Sequence, residues 1–317
     1  MAVDTAAAAS VEDLLTNVEK VMVGKREVTR LLLAALLCDG HVLLEDVPGI
    51  GKTLLAKTLA ASLDCSFRRL QFTPDMLPSD ITGSHVFNQQ TAQFEFRPGP
   101  VFTSILLADE INRATPRTQS AMLEAMEERQ VSVDGDTMAL PQPFLVAATQ
   151  NPIELEGTFP LPEAQLDRFL MRIQMGYPTE REEAAILDRF AADSPLPTLR
   201  PVLDPAAVRA LQRARKEVLV TPDVRDYLVR FVRATRESDE VELGASPRAA
   251  LALYRVSQAW ALLEGRTFVI PDDIKRLAPE VLSHRLVLSP AARLRGGTPR
   301  AVVDQLSKTL EVPVEKE

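Results

Sequence analysis

A stretch between residues 41 and 53 has the residue types, in the right order, to bind a triphosphate. An apolar strand leads into a turn with two glycines, and a helix follows. Gly51 lets the backbone approach the phosphates, and the free N–H groups at the helix start point at the anion. Lys52 adds a positive charge at the β- and γ-phosphates, and the Thr53 hydroxyl can join the shell of a Mg²⁺ ion. The residues predicted to contact the nucleotide here are Pro48, Gly49, Ile50, Gly51, Lys52, Thr53 and Leu54.

Asp46 departs from the phosphate-loop pattern, which has glycine at this position. Because a carboxylate is repelled by phosphates, we expect its side chain to turn away from them. The alternative is that Gly51-Lys52-Thr53 occurs in an ordinary loop by chance. The preceding strand, the following helix and an acidic strand further along the chain argue against chance.

Two adjacent carboxylates, Asp109 and Glu110, follow an apolar run at residues 104–108. A strand without polar alternation is buried on both faces, as in a parallel sheet, and ligands collect at the carboxyl ends of such strands. We expect Asp109 to hold the Mg²⁺ shell and Glu110 to orient and polarise the attacking water. The alternative is a pair of solvated carboxylates at a strand end.

Three further residues are candidates with weaker support. Asn151 follows the next buried strand and could position the water or contact the γ-phosphate, although it could also be a simple turn residue before Pro152. Arg168 could stabilise negative charge on the γ-phosphate, often of a neighbouring subunit, or could pair with Asp167 at the surface. Arg248 begins a helix and could bridge to a phosphate, or be a plain first-turn residue.

The elements around these residues predict an α/β domain over residues 1–177 and a helical domain over residues 178–317. Five strands alternate with helices in the first part, and the last of them is predicted at residues 169–175. Two hairpins interrupt this domain, near residues 84–96 and 131–140. From Thr179 onward the periodicity is helical without convincing strands, so the second domain is predicted to be all-helical.

Composition is that of an ordinary globular protein, with 46% hydrophobic and 25% charged residues among 317. A net charge of −8 argues weakly against nucleic acid as the main partner. Cys38 and Cys65 are isolated, which favours reduced thiols over a disulfide framework or a zinc site. We see no secretory signal and no apolar run long enough to span a membrane, so we expect a cytoplasmic protein.

Several long phrases of the sequence resemble AAA+ ATPases, and the MoxR family in particular. Their residues are 43–53, 71–75, 77–83, 108–114, 148–152 and 157–169. The resemblance covers nearly the whole chain beyond the first ten residues. It implies a P-loop AAA+ fold, with a parallel five-stranded sheet flanked by helices and followed by a helical lid.

The resemblance also implies roles for individual residues. Lys52 and Thr53 match the Walker A pair, Asp109 and Glu110 match the Walker B pair, and Asn151 matches the sensor-1 residue. The implied cofactors are ATP and Mg²⁺. The hairpin near residues 84–96 corresponds to an insertion in helix 2, and the one near 131–140 to the hairpin before sensor 1.

Other matches lie outside the two Walker motifs. Arg168 matches the arginine finger that acts on the nucleotide of the next subunit, although Arg113 remains an alternative. Arg248 matches the sensor-2 arginine of the lid. Val23 and Gly24 lie where such proteins contact the adenine.

For partners, the resemblance implies a hexameric ring, a partner with a von Willebrand A domain and protein clients. The implied function is ATP hydrolysis that drives chaperone-like remodelling, maturation or metal-cofactor insertion. Two alternatives remain open. One is a nucleic-acid motor, which the lack of Lys and Arg at the two hairpin tips disfavours. The other is a scaffold that binds ATP and barely hydrolyses it.

Overall fold

The structure, a computed structural model, describes residues 5–150, 157–191 and 193–313. The strands are β1 (Val42–Glu45), β2 (Phe67–Gln71), β3 (Gly83–Asn88), β4 (Gln93–Pro98), β5 (Ile105–Asp109), β6 (Gln130–Val133), β7 (Asp136–Ala139), β8 (Leu145–Gln150), β9 (Met171–Ile173), β10 (Val241–Leu243) and β11 (Val287–Leu288). The helices are α1 (Thr5–Glu19), α2 (Arg26–Leu37), α3 (Lys52–Ser62), α4 (Pro78–Thr82), α5 (Pro116–Glu128), α6 (Glu163–Leu166), α7 (Glu180–Phe190), α8 (Pro205–Arg215), α9 (Pro222–Glu237), α10 (Pro247–Leu263), α11 (Pro271–Leu282), α12 (Pro290–Leu294) and α13 (Pro299–Thr309). Short 3-10 helices cover Ile111–Arg113, Leu196–Thr198 and Ser283–Arg285.

A five-stranded parallel sheet forms the centre of the first domain, in the order β2-β5-β8-β1-β9. Successive side chains of each strand point to opposite faces. Leu43 and Leu106 therefore join the hydrophobic core on one face, while Leu44 and Leu107 join the core on the other. Helices cover both faces at the central strands β1, β5 and β8, which is why these three strands read as nearly unbroken apolar runs. The predicted five-stranded parallel sheet is confirmed, although β9 is shorter than the predicted strand.

Both predicted hairpins are present, as β3–β4 and β6–β7. Asp134 and Gly135, at the tip of the second hairpin, have φ angles of 53° and 94°. Two positive φ angles in a two-residue turn are typical of the hairpins favoured by Asp-Gly. His85 of β3 lies 2.9 Å from the Asp134 carboxylate, measured from Nδ1 to Oδ2. This contact joins the two hairpins.

The described part of the chain after residue 177 is mainly helical, as predicted, but it also contains short β contacts. A short antiparallel pair, β10 and β11, joins Val241–Leu243 to Val287–Leu288. These strands have three and two residues. So few residues cannot display the alternation by which a strand is recognised, so the prediction of an entirely helical domain missed them.

The helical part packs directly on the first domain. α10 contacts α2, and the Gln212 side chain of α8 donates to the Leu36 carbonyl at 2.8 Å. One hydrophobic core runs continuously from the α3 face of the sheet into α9, α10 and α11. The division at residue 177 remains a prediction.

Cys38 and Cys65 are both free thiols, as their isolation predicts. None of the helices in residues 5–150, 157–191 and 193–313 combines the length and apolar character needed to cross a membrane.

His41, which precedes β1, is buried and hydrogen-bonded at both ring nitrogens. The Val146 N–H donates to Nδ1 at 3.0 Å, which leaves Nε2 to donate to the Met126 carbonyl at 2.9 Å. Burial lowers the pKa of His41 to about 4. The imidazole is therefore neutral in the folded protein.

This neutral histidine predicts a loss of stability in mild acid. The pKa of His41 is lower in the folded state than in the unfolded state. Its contribution to the free energy of unfolding is therefore complete above the unfolded-state pKa and is lost as the pH falls toward the folded-state pKa. Between about pH 7.5 and about pH 5 the wild type should lose ~2 kcal/mol more unfolding free energy than His41→Gln. Urea unfolding at the two pH values measures this. Equal losses in both proteins would contradict it.

Candidate active site

The loop between β1 and α3 has the backbone conformation of a phosphate cradle. Gly49 and Gly51 have φ angles of 86° and 93°, a region that strains residues with a side chain. Gly51 is the residue just before α3, so the unpaired N–H groups of the first helical turn face the loop. The Lys52 ammonium donates to the Asp46 carbonyl at 2.8 Å. The loop therefore holds a cation and free N–H donors at one point.

Asp46 turns away from this cradle, as expected. Its Oδ2 accepts from the backbone N–H groups of Met175 and Gly176, at 2.6 and 2.8 Å. Its Oδ1 accepts from its neighbour Val47 N–H at 3.2 Å. An aspartate at this loop position is thus compatible with phosphate binding, and it fastens the loop to the segment after β9.

Asp109 and Glu110 lie beside the loop at the carboxyl end of β5. The Thr149 hydroxyl, near the end of β8, donates to Asp109 Oδ1 at 2.6 Å and accepts from the Glu110 N–H at 2.8 Å. Glu110 has the left-handed conformation, with a φ angle of 58°. Thr149 therefore fixes both acidic residues with respect to each other.

Side chains from β2 and from the turn after β5 form hydrogen bonds and ion pairs with the two carboxylates. Arg69 donates to Asp109 Oδ2 from Nε at 3.0 Å and from Nη2 at 2.7 Å. Glu110 Oε2 accepts from Gln71 Nε2 at 2.6 Å and lies 3.0 Å from Arg113 Nε. The sequence interpretation missed Arg69, Gln71 and Thr149 as site residues. The signal that could have found them is a polar side chain near the carboxyl end of each strand next to β5.

These groups line a cavity of about 390 Å³. Its lining residues are Pro48, Gly49, Gly51, Lys52, Thr53, Leu54, Arg69, Asp109, Glu110 and Thr149. Partial burial lowers the pKa of Lys52, while Asp109, Asp46 and Glu110 act in the opposite direction. The cavity combines cations with two carboxylates, which suits a phosphate chain accompanied by a metal ion.

A second, more apolar cavity of about 510 Å³ adjoins the first across the loop. Its lining residues are Val21, Met22, Val23, Lys25, Pro48, Gly49, Ile50, Gly51, Leu54, Tyr177, Pro178, Glu183, Ile186 and Phe190. Val23 lines this cavity, and its contact with the adenine stays a prediction. Gly24 packs against Glu182 of α7, and a Cβ at this glycine would lie 1.7 Å from Glu182 Oε1.

Arg168 and Arg248 lie together, and away from this loop. Arg168 Nε is 3.1 Å from Glu127 Oε2, and Arg248 Nη2 is 3.2 Å from Glu127 Oε1. We call these three residues the Glu127 cluster. Arg168 is not paired with its neighbour Asp167, whose Oδ1 instead accepts from Arg285 at 2.6 Å.

The Glu127 cluster lines a cavity of about 220 Å³ shared with Asp39, Gly40 and His41. Those three residues precede β1, whereas the phosphate loop follows it. The four residues of β1 span roughly 13 Å, so the two cavities lie at opposite edges of the sheet. The expected bridge from Arg248 to a phosphate is therefore not formed within the chain.

Asn151 lies outside the described residues. β8 ends at Gln150, and the chain is described again from Gly157. A role for Asn151 in positioning water stays a prediction.

Comparison with known proteins agrees with this geometry. The ATPase family associated with various cellular activities (AAA) matches residues 41–171, and the AAA lid domain matches residues 233–306. The uncharacterized protein YeaC of Bacillus subtilis is 51% identical over 95% of this chain and 94% of its own length. Chaperone MoxR1 of Mycobacterium tuberculosis is 42% identical over 96% of this chain and 82% of its own length.

A solved structure extends the comparison to three dimensions. The crystal structure of an ATPase candidate from Cytophaga hutchinsonii superimposes with a TM-score of 0.92 at 37% identity. The superposition covers 98% of this chain and 96% of the solved chain. The resemblance read from the sequence phrases is confirmed: the chain belongs to the MoxR family of AAA+ ATPases, and it is an ATPase that binds nucleotide.

Proposed function

We propose that this ATPase depends on Mg²⁺, forms a hexameric ring and remodels protein clients as a chaperone. The observation that carries the proposal is the convergence of Lys52, Thr53, Asp109 and Glu110 on one cavity at the carboxyl edge of the sheet. Phosphoryl transfer to water requires positioned phosphates, a metal shell and a polarised nucleophile, and these four side chains supply the protein's share.

The residues present fit a magnesium ion. A hydroxyl from Thr53 and a carboxylate from Asp109 are hard oxygen donors, the kind that Mg²⁺ prefers, and phosphates with water complete its shell. When bound, the ion neutralises charge on the β- and γ-phosphates. Lys52 holds the same phosphates, while Glu110 accepts a hydrogen bond from the attacking water and polarises it.

The Glu127 cluster supports a site shared between subunits. Arg168 and Arg248 lie at the opposite edge of the sheet from their own phosphate loop, so they serve a nucleotide held by the next subunit. In such an assembly one surface of each subunit contacts a different surface of the next, and this contact can repeat until the ring closes. Both arginines pair with a glutamate of their own chain, but Arg113 does so beside its own phosphate loop, whereas Arg168 lies at the opposite edge of the sheet. This position favours Arg168 as the arginine finger.

The hairpins favour protein over nucleic acid as the client. Phe87 and Phe94 of β3–β4 are 50% and 71% exposed, with ring centroids 5.3 Å apart. The tips at residues 88–92 and 134–136 lack Lys and Arg, which a motor would need to track phosphates. Exposed aromatic pairs suit apolar segments of proteins. The expected cytoplasmic location rests on the sequence alone. The family resemblance supports the proposed partner with a von Willebrand A domain, and the name of the Mycobacterium tuberculosis relative supports the chaperone role.

Lys52→Ala tests the nucleotide site directly. Loss of the charged contact should weaken ATP binding about 10- to 100-fold, because hydrogen bonds to charged groups contribute about 1.5–3 kcal/mol. Lys57→Ala, on the same helix but facing Phe67, is the matched control and should bind as the wild type. Calorimetric titration of both variants, with and without Mg²⁺, gives the affinities. Wild-type affinity in Lys52→Ala would contradict the assigned site.

A hydrolysis assay with sedimentation on the same samples tests the wider proposal. We expect hydrolysis to need Mg²⁺ and to rise with protein concentration as a ring-sized species appears. Protection of an unfolding protein from aggregation, dependent on ATP, is the expected chaperone readout. Tight ATP binding without hydrolysis in any assembly state would instead support the nucleotide-gated scaffold.

A further inference from the structure

Asp109, the carboxylate assigned to the metal shell, is already engaged by a cation of its own chain. Arg69 holds Asp109 Oδ2 with two donors, at 3.0 and 2.7 Å, while the Thr149 hydroxyl holds Oδ1 at 2.6 Å. The Asp109 side chain is only 14% exposed, whereas that of Arg69 is 48% exposed. Arg69 therefore covers the solvent side of a mostly buried carboxylate.

The position of Arg69 within the cavity is determined by the strand register. Gln71 pairs with Asp109 across β2 and β5, and Arg69 lies two residues earlier on the same face of β2. Arg69 Nη2 also donates to Gln71 Oε1 at 2.8 Å, which fixes the guanidinium beside the carboxylate. The guanidinium lines the same cavity as Lys52 and Thr53.

The preceding residue, Arg68, differs in its surroundings. Its Nη1 donates to the Gly99 carbonyl at 3.2 Å, beyond the end of β4. It does not line the phosphate cavity within the described chain. Arg69 therefore contacts the Asp109 carboxylate, while Arg68, the adjacent arginine of the same strand, lies away from it and can serve as a matched control.

We propose that Arg69 is an internal counter-ion that competes with Mg²⁺ for Asp109, so that loading of the metal requires release of the Arg69–Asp109 pair. The proposal rests on the proposed function, because it takes Asp109 as part of the metal shell. The two Arg69 donors occupy both lone pairs of Oδ2, and the Thr149 hydroxyl takes one of the two on Oδ1. A hydrated ion that approaches Asp109 from the cavity therefore competes with Arg69 for Oδ2. In the free chain Arg69 compensates the negative charge of a mostly buried carboxylate.

Competition has a defined consequence for metal affinity. Binding of the ion must break the pair, so the wild type binds metal more weakly than a chain without the guanidinium. A partly exposed ion pair of this kind corresponds to about a two- to fivefold change in the metal dissociation constant. An Arg69 that contacted nucleotide phosphates directly would have the opposite effect, since its removal would weaken binding.

Manganese binding measured by electron paramagnetic resonance tests this without an activity assay. The full chain in a one-to-one complex with ADP is titrated with Mn²⁺, whose free signal disappears on binding, and Mg²⁺ is then added as competitor. Arg69→Gln should bind Mn²⁺ about two- to fivefold more tightly than the wild type, while Arg68→Gln should bind it as the wild type does. The effect of Arg69→Gln should vanish when Asp109→Asn is also present, because the competed carboxylate is then gone.

Unchanged or weaker metal binding in Arg69→Gln would overturn the competition. An equal increase of Mn²⁺ affinity in Arg68→Gln would also overturn it, because the change in net charge alone would then explain the effect. If Arg69→Gln does not fold, Arg69→Lys replaces it, and this variant should also bind Mn²⁺ more tightly because an ammonium lacks the paired donors. A wild type that binds neither ADP nor Mn²⁺ would instead refute the proposed function, so the two failures are distinguishable.

Discussion

Replacement of Arg168 by alanine is expected to lower ATP turnover by about 10³-fold or more, with nearly unchanged affinity for ATP. As the proposed arginine finger, Arg168 would stabilise charge that develops on the γ-phosphate during transfer, and this charge is greatest in the transition state. Arg168 is tied to Glu127 and lies at the far edge of the sheet from its own phosphate loop. Its removal should therefore leave the chain's own nucleotide contacts intact.

Steady-state hydrolysis and equilibrium binding on the same preparations separate the two effects. Arg117→Ala, at an exposed position in the first turn of α5, is the control and should keep wild-type turnover. Equal loss of affinity and turnover in Arg168→Ala would place its role in its own subunit or in folding. Loss of the ring-sized species would mean that Arg168 acts through assembly.

The second large effect is expected for Glu110→Gln. An amide has nearly the shape of the carboxylate but cannot polarise water as a base, so turnover should fall about 10²- to 10⁴-fold. ATP should still bind, because Lys52 and the loop backbone remain. Glu110 also accepts from Gln71 and pairs with Arg113, and the amide loses part of that charge pairing.

Single-turnover hydrolysis with bound ATP measures this effect without interference from product release. Glu124→Gln, an exposed position on α5, is the matched control and should hydrolyse at the wild-type rate. Retention of more than about a tenth of wild-type turnover in Glu110→Gln would show that another group polarises the water.

The sequence predicts best what depends on local spacing. The phosphate loop has its glycines, lysine and threonine within a few residues, and Asp109-Glu110 directly follow an apolar run, so both motifs were recognisable without tertiary information. Asp46 could be predicted to turn away because its charge forbids the alternative. The buried strands were visible because a sheet covered on both faces selects apolar residues at every position.

What the sequence did not reveal depends on which strands and helices become neighbours. Arg69 and Gln71 reach the two carboxylates only because β2 pairs with β5 in a particular register. Thr149 bridges them because β8 lies on the other side of β5. Arg248 was predicted to bridge to a phosphate, but helix packing places it beside Glu127 instead. The polar side chains themselves are visible along the chain, but the strand register and the helix packing that bring them together are not.

The central claim is that each active site is completed by the next subunit, and mixing two inactive variants tests it most directly. Glu110→Gln retains Arg168 for its neighbour, and Arg168→Ala retains Glu110 for its own nucleotide. In a one-to-one mixture about a quarter of the interfaces pair an intact Glu110 with an intact Arg168 in a randomly assembled ring. We predict that ATP hydrolysis reappears in the mixture at roughly that fraction of the wild-type rate. A co-assembled mixture as inactive as its two components would contradict the shared site.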